Sequence, residues 1–372
     1  MLGKKVFASL ILDEIHLKSH VYFNGKSFDG CVDLGQGPSS DEDDVATQSL
    51  VFMINSLNGS WKLPIGHFFI SRLNGEQRAG LLKTAIQLLN DTGIVLVNVT
   101  SDNPSCNWKM FDLLGADLYN KNPKVSLSEK NVMGIPILVT LDACHLLKLV
   151  RNAFGDFKTF VNKDGDKISW ELLEHLESLQ NDQGLHLATK LRAKHINFRE
   201  NKMKTCLASQ IFSKSVAKAL LFCKQELKLP QFSDCEATVE FLLFFNNLFD
   251  MLNSRSKFAK DYNSPLCQET FQRFSEYLEK ATHYIHSLKH LDGRPVVNEP
   301  RKQSFLGFLT LLKSVIYIYR CYIQTNHLEY LLTFKLSQDH LEFFFSSIRA
   351  SLGCNNNPTT VQVQHYSISW IG

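Results

Sequence analysis

The sequence lacks most of the features that assign a compartment or a chemistry at a glance. No apolar run is long enough to read as a membrane span. The nine cysteines are scattered, odd in number and contain no Cys-x-x-Cys pair. That pattern excludes a zinc cluster and argues against a disulfide framework, so a reducing, intracellular setting is expected. Net charge is only +3, which neither requires nor excludes a nucleic acid partner. No G-x-x-x-x-G-K-[ST] loop occurs, so any nucleotide must be held by other means than a P-loop. There is no internal repeat and no low-complexity segment. The start superficially resembles a short signal peptide, with two lysines before an apolar stretch. That stretch runs straight into Asp13 and Glu14 without a small-residue cleavage site, so a buried strand is expected instead.

What is present is the composition of a globular protein. Hydrophobic residues make up 44% and charged residues 21% of 372 positions, enough for two cores. Phe is abundant, at 27 residues, which points to aromatic packing between helices.

Residues 6–12 form a continuous apolar run, the mark of a strand covered on both faces. Segments 19–23 and 27–34 flank Asn24-Gly25-Lys26, a hairpin signal. The polar, acidic stretch 35–44 reads as a solvent loop. Apolar runs at 50–54 and 65–70 follow, and 75–89 has helical spacing. Residues 94–99 read as a buried strand running into Thr100-Ser101-Asp102, and 135–141 as a strand leading into a helix over 144–152. After Phe154 the pattern turns helical. Segments 170–179, 203–227, 238–252, 268–288 and 305–323 show helical period with almost no strand signal. A mixed α/β region followed by a block of helices indicates two units. In the last clear element, 337–350, Leu341, Phe344, Phe345, Ile348 and Leu352 fall on one apolar stripe, with Ser337 placed as N-cap. Phe343–Phe345 reads as core packing, and Asn355-Asn356-Asn357-Pro358 as a closing turn.

Three carboxylates stand out by position. Asp13 ends the first strand, Asp102 lies just beyond a later strand, and Glu342 lies beside the apolar stripe of the last helix. Strand ends in α/β sheets are where reactive groups collect. Alternation along a strand implies that Asp13 and Glu14 do not share one site. Three converging carboxylates suit two Mg2+ ions, hard cations that prefer oxygen ligands and serve phosphodiester chemistry. Spacing alone favours a surface acid for each of them.

Longer motifs carry a resemblance. LTFKLSQDHLEFFFSSIRASLGCNNNPTT (332–360), LILDEIHLK (10–18) with GCVDLG (30–35), and VTSDNPSCNWKMFDLLGA (99–116) resemble blocks of the P-element-type transposases and their THAP-domain relatives. TLDACHLLKLVRN (140–152), FFNNLFDMLNSRS (244–256) and RKQSFLGFL (301–309) resemble further landmarks of that family. The resemblance runs from Leu10 to Gln362 and implies an α/β plus all-α chain: an RNase H-like mixed sheet interrupted by a large all-helical insertion. Its implied divisions are 1–153 and 333–362 for the RNase H-like domain and 154–332 for a GTP-binding-type insertion, with 363–372 as an atypical tail. It implies a Mg2+-dependent DNA transposase core that cleaves and joins strands, acting in the nucleus on transposon ends and target DNA, with a homo-oligomer among its partners and no membrane.

By motif position the catalytic and metal residues implied are Asp13, Asp102 and Glu342. Asp250, Asn253 and Asp339 lie where the family's guanine-nucleotide pocket draws ligands. No match to the family's zinc-binding THAP domain or leucine zipper is present. The alternative reading is a domesticated, catalytically inactive protein that binds DNA or protein. His145 reads as a structural histidine, and the basic run 190–204 as a solvated surface. Lys148 and Arg151 fit either DNA phosphate or a solvated basic face.

Overall fold

The computed structural model describes residues 5–23, 25, 28–35, 44–184, 187–188, 190–298, 300–351 and 356–371, with side chains of the last helix up to Tyr366. Asn24 and Lys26 of the expected hairpin turn, residues 36–43 of the acidic loop, Leu352, Asn355 and most of the tail's side chains lie outside the described residues. The chain divides into two compact units, Met1–Asp142 with Tyr317–Gly372, and Ala143–Ile316. The expected junction at 153/154 falls inside a helix, and that at 332/333 beyond the second division.

The first unit is built on one six-stranded sheet. Its strands are β1 (Phe7–His16), β4 (Gln48–Ser56), β5 (Lys62–Ile70), β6 (Val95–Ser101), β7 (Ser126–Lys130) and β8 (Pro136–Leu141), with a two-residue pair β2 (Tyr22–Phe23) and β3 (Phe28–Asp29) to one side. The order is β5-β4-β1-β6-β8-β7. β1 runs parallel to β6, and β6 to β8; the pairings of β1 with β4, β4 with β5 and β7 with β8 are antiparallel. The central strands are buried along nearly their whole length, as their unbroken apolar runs require. One polar cluster crosses the buried sheet. The Asn98 side-chain amide donates to Ser9 at 2.9 Å and Thr140 at 2.6 Å. A helix α1 (Gly75–Asp91) joins β5 to β6, and α2 (Ser105–Leu113) follows β6.

The second unit opens with α3 (Ala143–Phe157), β9 (Thr159–Val161), β10 (Lys167–Ser169) and α4 (Glu171–Gln183). It continues with α5 (Ala193–Ile196), α6 (Thr205–Ile211), α7 (Lys214–Gln225), α8 (Glu236–Leu252), α9 (Phe271–Ser287), β11 (Lys289–His290) and α10 (Lys302–Ile318). It is helical, with one small sheet ordered β10-β9-β11 whose strands are too short to carry a periodic signal. The single helix expected over 203–227 is two: Ser213 is extended, and its hydroxyl accepts from the Val216 amide at 3.3 Å, capping α7. The core is aromatic. Phe245 is fully buried, with ring contacts to Phe212, Phe241, Phe244, Phe305 and Phe308. Gly155 on α3 permits close approach, since a Cβ there would stand 2.2 Å from the Phe198 ring. By length and composition Lys302–Ile323 and Thr205–Gln225 are apolar enough to cross a membrane; 78% and 50% of those windows are buried in the structure, and the first reads as a core helix.

The chain re-enters the first unit through a π-helical turn (Tyr319–Ile323) and ends in α11 (Asp339–Ser351) and α12 (Thr360–Ile371). The expected stripe of α11 is real: Leu341, Phe344, Phe345 and Ile348 join Ile11, Ile15, Val51 and Met53 in one core cluster. Phe343 is a correction. It is 57% exposed, one residue off the stripe, with the Lys62 ammonium over its ring. Val363 and Tyr366 of α12 close the same cluster.

Candidate metal centre

Asp13 lies within β1, not at its end. The parallel ladder with β6 stops at Ile11–Thr100, whereas the antiparallel ladder with β4 runs on to His16. The strand therefore continues past Asp13 with one side no longer covered by β6, and that is where the carboxylate sits. β6 ends at Ser101, and Asn103-Pro104 turns the chain into α2, as the restriction before proline favours. Asp102 stands in that turn. Its Oδ1 accepts from the Asn107 side-chain amide at 2.7 Å, and Asn103 accepts from the Trp108 indole at 2.6 Å, so the first turn of α2 fixes both residues.

Glu342 is placed by the start of α11. The Gln338 side chain donates to the Leu12 carbonyl at 2.7 Å, its amide donates to Asp142 Oδ1 at 3.0 Å, and its carbonyl accepts the Glu342 amide at 3.0 Å. The segment before it is tied down by Lys335, whose ammonium donates to the Ser56 and Leu57 carbonyls, each at 3.0 Å. Ser337 acts near its expected role: its hydroxyl accepts from the Asp339 amide at 3.3 Å.

The electrostatics converge on Asp13. Its burial, then the carboxylates of Asp102, Glu342 and Glu14, push its carboxyl well above the usual carboxylate range. The amide of Glu14, donating to Asp13 Oδ1 at 2.9 Å, works in the other direction. Asp13, Glu14 and Asp102 each offer an oxygen within 4.8 Å of the others. Glu342, an exposed residue, acts on Asp13 without sharing that cluster. Glu14 thus lies nearer Asp13 and Asp102 than strand alternation implies, although its carboxylate is engaged by Arg78. Glu14 pairs with the Arg78 guanidinium, which also donates to Asn107 Oδ1 at 3.0 Å.

Arg78, Asn107 and Asp142 went unrecognised in the sequence. A signal for Arg78 existed, because it occupies the buried face of α1 with Ala79, Leu82 and Ile86, where a charge is out of place. Asp142, only 2% exposed, has an oxygen within 4.8 Å of one from Asp339. Asp250 and Asn253 sit at the end of α8, in the second unit, whereas Asp339 belongs to the first. Burial raises the Asp250 carboxyl against the pull of Lys214, Asn246 and Asn263. Lys148 and Arg151 are both buried, which removes the solvated-face reading; Arg151 donates to the Asn201 and Lys202 carbonyls at 3.2 Å.

Comparisons with known proteins agree with this architecture. Family models match three successive segments: a TNP-like RNase H N-terminal domain over residues 2–115, a TNP-like GTP-binding insertion domain over 144–265, and a TNP-like RNase H C-terminal domain over 334–365. The human DNA transposase THAP9 is 32% identical over 365 residues, 96% of this chain and 40% of that protein. The Drosophila melanogaster transposable element P transposase is 27% identical over 316 residues, 84% of this chain and 40% of that protein. The chain thus spans 40% of the length of each of these relatives. A chain of the Drosophila P element transposase strand transfer complex has the same fold, with a TM-score of 0.75 at 24% identity, covering 98% of this chain and 76% of that one. The fold is the RNase H-like sheet with a helical insertion, and the chain belongs to the P-element-type transposase family.

Proposed function

We propose that this chain is a transposase catalytic core that cuts and joins DNA strands at a divalent-metal site built on Asp13, Asp102 and Glu342. One observation carries the reading: a buried aspartate whose carboxyl is pushed up by burial and by acids from three other positions. Burying like charges together costs stability, and a bound cation relieves that cost. The donor set fits, being oxygen throughout and suited to Mg2+. When bound, two such ions supply the Lewis acidity and the activated oxygen nucleophile of an in-line phosphoryl transfer. The protein's own part is to hold the carboxylates ready. Gln338 anchors α11 beside Leu12 so that Glu342 bears on Asp13, and Asn107 fixes Asp102.

DNA is the proposed partner, consistent with a fold neighbour seen in a strand transfer complex, and action on genomic DNA implies the nucleus. GTP is the proposed ligand of the insertion, with Asp250 and Asn253 among its contacts. A carboxylate such as Asp250 matches the two adjacent donors of a guanine edge. The test is nicking of supercoiled plasmid in Mn2+: the chain should nick, and Asp102→Asn should not. Equal nicking by the variant contradicts the site. DNA binding with no metal binding and no nicking by either protein would favour the silent, DNA-binding reading.

A further inference from the structure

Beyond the three carboxylates, the first unit holds a buried relay that runs from α1 through α2 to Asp102. We propose that Arg78 and Asn107 are positioning residues of the metal centre. Arg78 keeps Glu14 from acting as a ligand, and Asn107 presents Asp102 through one fixed oxygen. The inference rests on the metal-site reading above and deepens it.

The geometry is specific. Asn74 and Gln77 form a reciprocal cap at the start of α1, with bonds of 2.9 and 3.1 Å, which fixes the turn that carries Arg78. Arg78 is 7% exposed and Asn107 1%, so water competes little for either. The guanidinium only donates. Its bond to Asn107 Oδ1 therefore settles the orientation of that amide, leaving Nδ2 to face Asp102 Oδ1 at 2.7 Å. One oxygen of Asp102 is thus committed to Asn107, and the carboxylate has a defined orientation.

Glu14 has an oxygen within 4.8 Å of those of Asp13 and Asp102, near enough to compete for a cation. Its ion pair with Arg78, with side chains 13% and 8% exposed, engages it instead. An arginine suits both tasks at once because its Nη1 donates to both acceptors and the guanidinium keeps its charge when buried. A lysine keeps the charge on a shorter side chain, with no planar group to fix the two directions.

Manganese titration calorimetry on the full chain tests this. In Arg78→Met a repelling charge leaves and Glu14 is released as a charged ligand, which outweighs the freed Asn107 amide, so Mn2+ binding should tighten by up to about tenfold. Adding Glu14→Gln to that variant should return the affinity to the wild-type range. Asn107→Leu should instead weaken Mn2+ binding about tenfold, the usual scale for loss of a partner that orients a ligand. A merely structural tie between α1 and α2 would lower the unfolding temperature without opposite shifts in affinity. Unchanged affinity in both Arg78→Met and Asn107→Leu, while Asp13→Asn abolishes binding, overturns the relay and leaves the metal centre standing. If Arg78→Met does not fold, Asn107→Leu and Arg78→Lys decide: weakened binding in both supports the relay, and wild-type affinity in either overturns it. If Asp13→Asn itself leaves Mn2+ affinity unchanged, the metal centre falls and the relay with it.

Discussion

In the sheet unit, the interior around β1 takes in Asp13, Arg78, Asn107 and Asp142; in the inserted unit, the largest buried side chains are rings such as Phe154, Trp170, Phe241 and Phe245. The inserted unit also buries cations, but Arg151 is discharged onto backbone carbonyls and stacks over Phe198. Asp13 has only the Glu14 amide against burial and three acids of the same sign. The contrast teaches that buried charge is not one phenomenon. Where it closes a loop it serves packing, and where like charges gather it holds a cost that a proton or a bound cation removes.

That contrast can be broken or sharpened by substitution. The largest effect is expected in the aromatic core. Phe245→Ala should cost about 3–5 kcal/mol in chemical denaturation, from lost burial and the cavity left behind. A cost below about 1 kcal/mol would mean that the rings do not carry the insertion.

A smaller effect of opposite sign is expected at Asp13. The folded-state carboxyl lies above its ordinary value of 3.8, so between those two values the folded chain binds more protons than the unfolded one. Stability of the metal-free protein is then favoured below the ordinary value and is lost as pH rises through the raised one. Asp13→Asn removes this loss. It should raise stability at neutral pH and leave stability near pH 3 almost unchanged, as read by thermal unfolding in chelator. Destabilisation at neutral pH would contradict the account of Asp13 as a strained acid. The smallest effect belongs to Phe343→Ala. That ring is exposed, and its contact with Lys62 is a surface cation–π pair, so the change should stay within about 0.5 kcal/mol in the same assay.

The sequence made part of this site legible for identifiable reasons. Asp102 was visible because a buried strand ends just before it, and Glu342 because it flanks a regular apolar stripe. Asp13 was visible by its strand, although β1 runs three residues further because β4 pairs beyond the last contact with β6. The nearness of Glu14 was not legible because alternation describes where a side chain leaves the strand, and a long side chain can still reach a neighbouring carboxylate. The relay was hidden because it needs α1 beside α2, and no local pattern encodes that packing. The small sheet of the insertion was missed for lack of length, and the break at Ser213 because the apolar period continues across it.

The most direct test of the central claim is calorimetric titration of Mn2+ into the wild-type chain and into Asp13→Asn, Asp102→Asn and Glu342→Gln. The account predicts saturable binding by the wild type that each substitution weakens by about tenfold or more, most severely at Asp13. Binding of equal strength in all four proteins would contradict it.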